Sequence, residues 1–369
     1  MIAGRATDEG TARYAARFSP GVPDVHFRGL RGVGQISSVG IGTYLGREDA
    51  ATDSLYRRAV GGAVERGVNV IDTAINYRHQ RSERAVGAAV ADLVGRGAFG
   101  RDELVVATKG GYIPFDAEMP VDPRAYFLET YLKPGIIRPD DLVGTHCIAP
   151  RYLEDQLERS RRNLGLETID IYYVHNPEGQ LEEVERPEFI RRIRAAFEML
   201  EAAVRAGKIG CYGTATWNGY RQPPDAPDYL ALAELVAAAR DVGGADHHFR
   251  VIQLPYNLAM TEAFTRANQS VNGEVVTPLE TARRLDVYVM ASASVYQGRL
   301  ARDLPSVVAD FLPGFSNDAQ RALQFVRSTP GIGTALVGMK SMAHVDQNGA
   351  VVRAAPMGWE QFQRLFTKA

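Results

Sequence analysis

GVNVIDTAINY (67–77), ELVVATK (103–109) and TIDIYYVH (168–175) share one pattern, a run rich in Val, Ile and Tyr followed by a polar residue at or just past its end. Such runs read as strands of a parallel sheet, whose strands are buried on both faces and therefore lack a strict polar alternation. Asp72, Lys109 and His175 close the three runs, and Tyr77 follows Asp72 by about one turn of chain. In a closed parallel barrel every strand opens its C-terminal end onto the same face, so residues distant in sequence converge there. An acid, a phenol, an ammonium and an imidazole sharing one mouth can deliver a proton to a carbonyl oxygen.

Working outward, the same kind of run recurs. A first strand ends near Gly42, and further strands are expected at 209–215 (IGCYGTA), 250–257 (RVIQLPYN), 286–293 (DVYVMASA) and 333–338 (GTALVG). Between them lie amphipathic segments rich in Ala, Arg, Glu and Leu, such as 50–67, 150–166, 189–207 and 228–243. Strict alternation argues a parallel sheet with helical crossovers, and eight such units predict a single (β/α)₈ barrel, the TIM-barrel class of α/β fold. Residues 1–25 read as a tail or irregular cap, and 26–369 as the barrel, entered through a hairpin over 26–43.

Two connections are out of proportion to the usual βα loop of about 2–6 residues. The stretch 110–150 leaves the catalytic face directly after Lys109 and is rich in Pro and aromatics, so it is expected to roof the mouth and to select substrate, with Tyr112, Phe115, Tyr126, Phe127 and Tyr131 suggesting a substrate larger than a simple aldehyde. The stretch 260–276 is a second candidate lining segment.

Bulk properties exclude several classes. Lys+Arg 42 against Asp+Glu 44 leaves a net charge of -2, no electrostatic case for nucleic acid or an anionic membrane. No run of about 18 apolar residues occurs and the N-terminus lacks a signal-type apolar core, so a cytoplasmic protein is the expectation. Cys147 and Cys211 make no disulfide framework, and Cys211 reads as a buried thiol. Asp246-His247-His248 and His146-Cys147 lack a third ligand at suitable spacing, so no metal is expected. The one G-x-G-x-x-G string, Gly95–Gly97–Gly100, follows a helix and precedes a strand, the reverse of the dinucleotide fingerprint.

At these residues the chain resembles the aldo-keto reductases. DTAINY (72–77) matches their Asp-Thr-Ala-x-x-Tyr signature, SERAVG (82–87) follows as their Ser-Glu-x-x-x-Gly does, Lys109 stands where the family has its lysine, and SRRNLGLETIDIYYVHNPE (160–178) matches the stretch that ends at their histidine. The likeness runs over about residues 27–355. It implies an NADPH-dependent oxidoreductase that reversibly reduces an aldehyde or ketone, with NADH the lesser donor. Tyr77 would be the general acid, its phenol tuned by Lys109, which Asp72 holds in place, while His175 orients the carbonyl oxygen.

The resemblance also implies a cofactor-binding set. Gly42 and Thr43 lie in the first-strand turn, Gln253 would contact the nicotinamide carboxamide, Lys340 and Ser341 would hold the 2′-phosphate, and His344, Gln347 and Asn348 would reach the adenine end. Tyr44, Tyr112 and Trp217 are the expected substrate contacts. Two positions depart from the family pattern. Ala215 and Thr216 stand where Ser-Asn or Ser-Arg is usual, and Ser292 replaces the aromatic that stacks on the nicotinamide, leaving Trp217 or Tyr296 as the alternative platform. A small-molecule carbonyl or alcohol is the implied partner. The rival reading is a non-catalytic NADP(H)-binding regulatory subunit on the same barrel, as in the potassium-channel β subunits. A metal-assisted lyase or isomerase would need a carboxylate and histidine cluster that the strand ends do not supply.

Overall fold

The computed structural model describes residues 1–366. Eight parallel strands close into a barrel: β1 Val39–Gly42, β2 Val70–Asp72, β3 Val105–Gly110, β4 Ile169–His175, β5 Ile209–Ala215, β6 Phe249–Pro255, β7 Tyr288–Ser292 and β8 Thr334–Gly338. Each strand pairs with the next in the chain, and β8 pairs with β1 to close the ring. The expected (β/α)₈ barrel is therefore the observed one.

The sequence explains why the runs look continuous. Val70, Val105, Ala107, Ile171, Tyr173, Cys211, Val251, Met290 and Leu336 fill the barrel interior. Their neighbours in the same strands, among them Ile71, Val106, Tyr172, Val174, Tyr212, Ile252 and Val289, face the helical shell. Both sides are apolar, so period-two alternation has nothing to report. Cys211 belongs to the interior set, and burial pushes its thiol up to about 12. The outer helices begin where capping chemistry allows. Asp49 accepts the Thr52 N–H at 2.8 Å to start Ala50–Val64, and Pro150 opens a helix that Gly165 ends at φ 66°. Gly95–Gly100 is the end of a helix and a loop ahead of β3.

Residues 1–25, expected as a tail or irregular cap, contain a regular helix, Asp8–Phe18. Tyr14 explains it: the ring is fully buried and its hydroxyl donates to the Val64 carbonyl at 2.6 Å. The Ala6 N–H donates to the Asp170 carboxylate at 2.6 Å, and Arg101 and the Val106 N–H bind the other oxygen of the same group at 2.8 and 2.7 Å. With the hairpin Phe27–Leu30/Gly34–Ser37, whose Leu30 and Ile36 join the interior core, this segment plugs the N-terminal end of the barrel.

The two long connections differ from expectation. After Tyr112 the 110–150 stretch turns inward on itself: Tyr131, Ile137, Cys147 and Tyr152 make a small core with Tyr126 and Phe127 packed on it. Of the five aromatics expected over the mouth, only Tyr112 borders the cavity. The 260–276 stretch forms a hairpin, Gln269–Val271/Glu274–Val276, and contributes no lining residue. Among the described residues no helix is long and apolar enough to cross a membrane, and no group of three His, Cys, Asp or Glu could hold a metal ion. His248 instead meets Glu201, Nδ1 to Oε2, at 2.8 Å.

Candidate active site

The strand register sets the four polar residues at the C-terminal rim. Asp72 lies beside Ala107, Lys109 beside Tyr173, and His175 beside Ala215, which in turn lies beside Gln253. Lys109 is fully buried, and its Nζ donates to Asp72 Oδ2 at 2.7 Å, to the Thr73 carbonyl at 2.8 Å and to the Tyr77 hydroxyl at 3.3 Å. Gln253 Nε2 donates to the other Asp72 oxygen at 2.8 Å, so the residue expected at a nicotinamide also secures the ion pair. Tyr77 and His175 face each other edge to face at 6.0 Å between ring centroids, with Tyr44 against Tyr77 at 4.9 Å and Tyr112 against His175 at 5.1 Å.

These contacts decide the charge states. Burial alone would lower the Lys109 pKa, but the Asp72 carboxylate and the Tyr77 oxygen outweigh it and the ammonium is held above its ordinary range. For Tyr77 burial wins over the pull of Lys109, and the phenol is pushed up, so it keeps its proton. Burial, then the Lys109 charge, force His175 well below its usual value, so the imidazole is neutral. Its Nδ1 is buried with no partner among the described residues. Nε2, the other ring nitrogen, is not enclosed in this way and is the one left to face the cavity. His146 supports the same strand end, its Nε2 on the His175 carbonyl at 2.6 Å and its Nδ1 on Gln180 at 2.9 Å.

Sequence reasoning missed the turn that aims Tyr77. Arg78, His79 and Gln80 have φ of 49°, 52° and 70°, three successive residues in the left-handed region without a glycine. Arg78, almost wholly buried, donates from Nε to the Arg47 carbonyl at 2.8 Å and from Nη2 to Asp53 at 2.6 Å. Gln80 donates to the Phe115 carbonyl at 2.9 Å, and the His79 carbonyl receives the Ala117 N–H at 2.8 Å. No glycine flags this turn, so only the spacing of Arg78 and Asp53 from the signature could have hinted at it.

A cavity of about 930 Å³ runs from this cluster across the barrel mouth. Asp72, Tyr77, His175 and Gln253 border one part, with Gly42, Thr43, Tyr44, Tyr112, Ala215, Thr216, Trp217 and Ser292 around it. Lys340, His344, Gln347 and Asn348 border the rest. Lys109 sits behind the wall, and Ser341 lies off it, capping the helix Met342–Val352 by accepting the His344 N–H at 3.3 Å. Tyr296 does not border the cavity, so of the two aromatics suggested in place of Ser292 only Trp217 faces it. Asn76 and Asn176 also border it, though no single motif reading pointed to them.

Comparison with known proteins agrees with this geometry. The model of the aldo/keto reductase family matches residues 38–302. An aldo/keto reductase from Klebsiella pneumoniae, solved with NADP and acetate, superposes with a TM-score of 0.62 at 21% identity, covering 92% of this chain and 95% of that one. An aldo-keto reductase from Bacillus halodurans in its holo form gives 0.63 at 20% identity over 92% and 95% of the two chains, and a glycerol dehydrogenase from Gluconobacter oxydans gives 0.63 at 18% over 93% and 95%. A Schizosaccharomyces pombe protein provisionally named a voltage-gated potassium channel subunit beta is 24% identical over 212 residues, 57% of this chain and only half of that relative's length. With the family model spanning well over half its length, the chain belongs to the aldo/keto reductase family.

Proposed function

We propose that the protein is an NADPH-dependent oxidoreductase that reversibly reduces an aldehyde or ketone to its alcohol. The observation that carries this reading is one ammonium, Lys109, bonded at once to Asp72 and to the Tyr77 hydroxyl under a neutral His175. The residues present fit a nucleotide carrying a phosphate. Lys340 borders the same cavity and has no ion-pair partner among the described residues, and a capped helix begins beside it. When bound, the nucleotide would supply a hydride for the carbonyl carbon.

The chain's own groups handle the oxygen. His175 Nε2–H donates to the carbonyl oxygen and polarises it. Tyr77, kept protonated by burial, gives its proton to that oxygen as charge develops, and the adjacent Lys109 stabilises the phenolate left behind. Asp72, held by Gln253, keeps Lys109 charged and in reach. In the oxidative direction the same groups run in reverse. Tyr44, Tyr112 and Trp217 wall the space above the oxygen and take the substrate.

A fluorescence titration with NADPH and NADH in parallel, followed by a carbonyl screen, tests the reading. Saturable binding that prefers NADPH, with turnover lost in Tyr77→Phe, supports it. The second reading, a nucleotide-binding regulatory subunit, is favoured by Ala215, which offers no side-chain hydrogen bond to a carboxamide, and by Ser292, which offers no stacking ring. It predicts tight nucleotide binding without turnover on any carbonyl.

A further inference from the structure

We propose that Glu178 is a positioning residue that holds Trp217 as a fixed wall for the carbonyl substrate. This rests on the proposed function for what it says about substrate, and on geometry alone for what it says about Trp217.

Glu178 lies in the short helical segment Pro177–Glu182, immediately after His175 and Asn176. Its side chain is buried and forms no ion pair among the described residues. A buried carboxylate without a cation is costly unless fixed dipoles replace the water it has lost. Here three successive backbone donors do so for one of its oxygens: the N–H groups of Trp217, Asn218 and Gly219 reach Oε1 at 2.7, 3.0 and 3.4 Å, while Oε2 is buried with no partner among the described residues and burial pushes the carboxyl pKa up against the pull of those N–H groups. Packing alone would not call for a carboxylate at this place, since an apolar side chain of similar size avoids the desolvation.

The other side of Trp217 is held as firmly. Its carbonyl accepts Arg221 Nε at 3.2 Å and Nη2 at 3.0 Å, and Arg221 Nη1 is anchored on Glu262 at 2.9 Å. Both polar groups of the Trp217 backbone are thus fixed by the Glu178 and Arg221 side chains, while the residue is 38% exposed and borders the cavity. An exposed indole on an immobilised backbone is a binding platform with little entropy left to lose. Because Glu178 is three residues past His175, the same carboxylate ties the indole to the strand end that presents the imidazole. The wall is therefore in register with the carbonyl oxygen, and the substrates it favours carry a ring whose face lies on the indole.

The test uses the full chain with Trp359→Phe, which leaves Trp217 as the sole tryptophan. Into it go Glu178→Gln, which keeps the shape and removes the charge, and Arg221→Met, which releases the opposite side. Acrylamide quenching reports the mobility of the indole. KM and kcat are measured with 4-nitrobenzaldehyde as the ring probe and methylglyoxal as the small one, alongside the NADPH Kd. The expected result is stronger quenching in both variants and a KM raised about tenfold for the ring probe, with kcat, the methylglyoxal KM and the NADPH Kd within about twofold. Unchanged quenching overturns the clamp. Stronger quenching with equal losses for both probes, or with weakened NADPH, overturns the specificity role. If the parent neither binds NADPH nor turns over a carbonyl, the functional reading fails, and the quenching arm still decides whether Glu178 holds Trp217.

Discussion

Lys109 Nζ stands 2.7 Å from the Asp72 carboxylate and 3.3 Å from the Tyr77 hydroxyl, so a single buried ammonium serves an ion pair and a phenol at the same time. Its loss therefore has two separable consequences. Lys109→Met leaves Asp72 buried with Gln253 as its remaining side-chain partner, a destabilisation of about 3–5 kcal/mol. Urea denaturation reads that loss. The double variant Lys109→Met/Asp72→Asn should recover most of the stability and none of the turnover. Recovery of both would remove Lys109 from the chemistry.

Tyr77→Phe removes a hydroxyl and keeps the ring against Tyr44. Steady-state turnover should fall by about 10²–10⁴-fold, the range for a general acid. The NADPH Kd should stay within about twofold, because the phenol hydroxyl is bonded to Lys109 and not to the nucleotide end of the cavity. Turnover close to that of the parent would exclude Tyr77 as the proton donor.

At the far end, Lys340→Ala separates the two nucleotides. A lysine without an ion-pair partner among the described residues has one charge to offer, and only NADPH carries the 2′-phosphate that would use it. Isothermal titration should show NADPH weakened about tenfold or more and NADH nearly unchanged. Equal weakening of both would end the phosphate assignment.

Ser292 borders the cavity where a stacking ring would stand. With Ser292→Tyr the added ring should tighten NADPH several-fold, a gain of about 0.5–1.5 kcal/mol for an aromatic pair. A collapse of binding would mean that Trp217 or the nucleotide already fills that space.

Three histidines set an acid limit on stability. Burial brings His26 to about 3 and His146 to about 4, from 6.5, and holds His175 well below it. Above pH 6.5 these groups are neutral in both the folded and the unfolded chain and leave stability unaffected. Below it the unfolded chain takes up protons that the fold refuses, so stability falls on acidification, until His146 titrates in the fold near pH 4 and His26 near 3. For His26 and His146 the slope approaches about 1.4 kcal/mol per pH unit each. Chemical denaturation at pH 7.5, 6 and 5 measures it, and a flat profile across that range would contradict it.

Much of this was legible in the chain because buried parallel strands advertise themselves as apolar runs, and the polar residue that ends a run marks the rim. The strand pattern alone sets Asp72, Lys109 and His175 on one face, and Tyr77 with them. What the chain did not disclose depends on contacts across long separations. The helix Asp8–Phe18 exists because Tyr14 finds Val64, and the aromatics of the 110–150 stretch pack on one another instead of on the mouth because they form a core of their own. The left-handed turn at Arg78–Gln80 lacks the glycine that normally announces one, and its stability comes from Asp53, 25 residues upstream of Arg78. Nothing in the chain marks Glu178 as buried; it is enclosed where Trp217, Asn218 and Gly219 turn their N–H groups toward it.

The bond from the Ala6 N–H to Asp170 spans 164 residues of chain. Through that one carboxylate the plug, the loop ahead of the third strand and the third strand itself are tied to the fourth strand, so loosening Asp170 would unfasten the floor of the barrel from its wall.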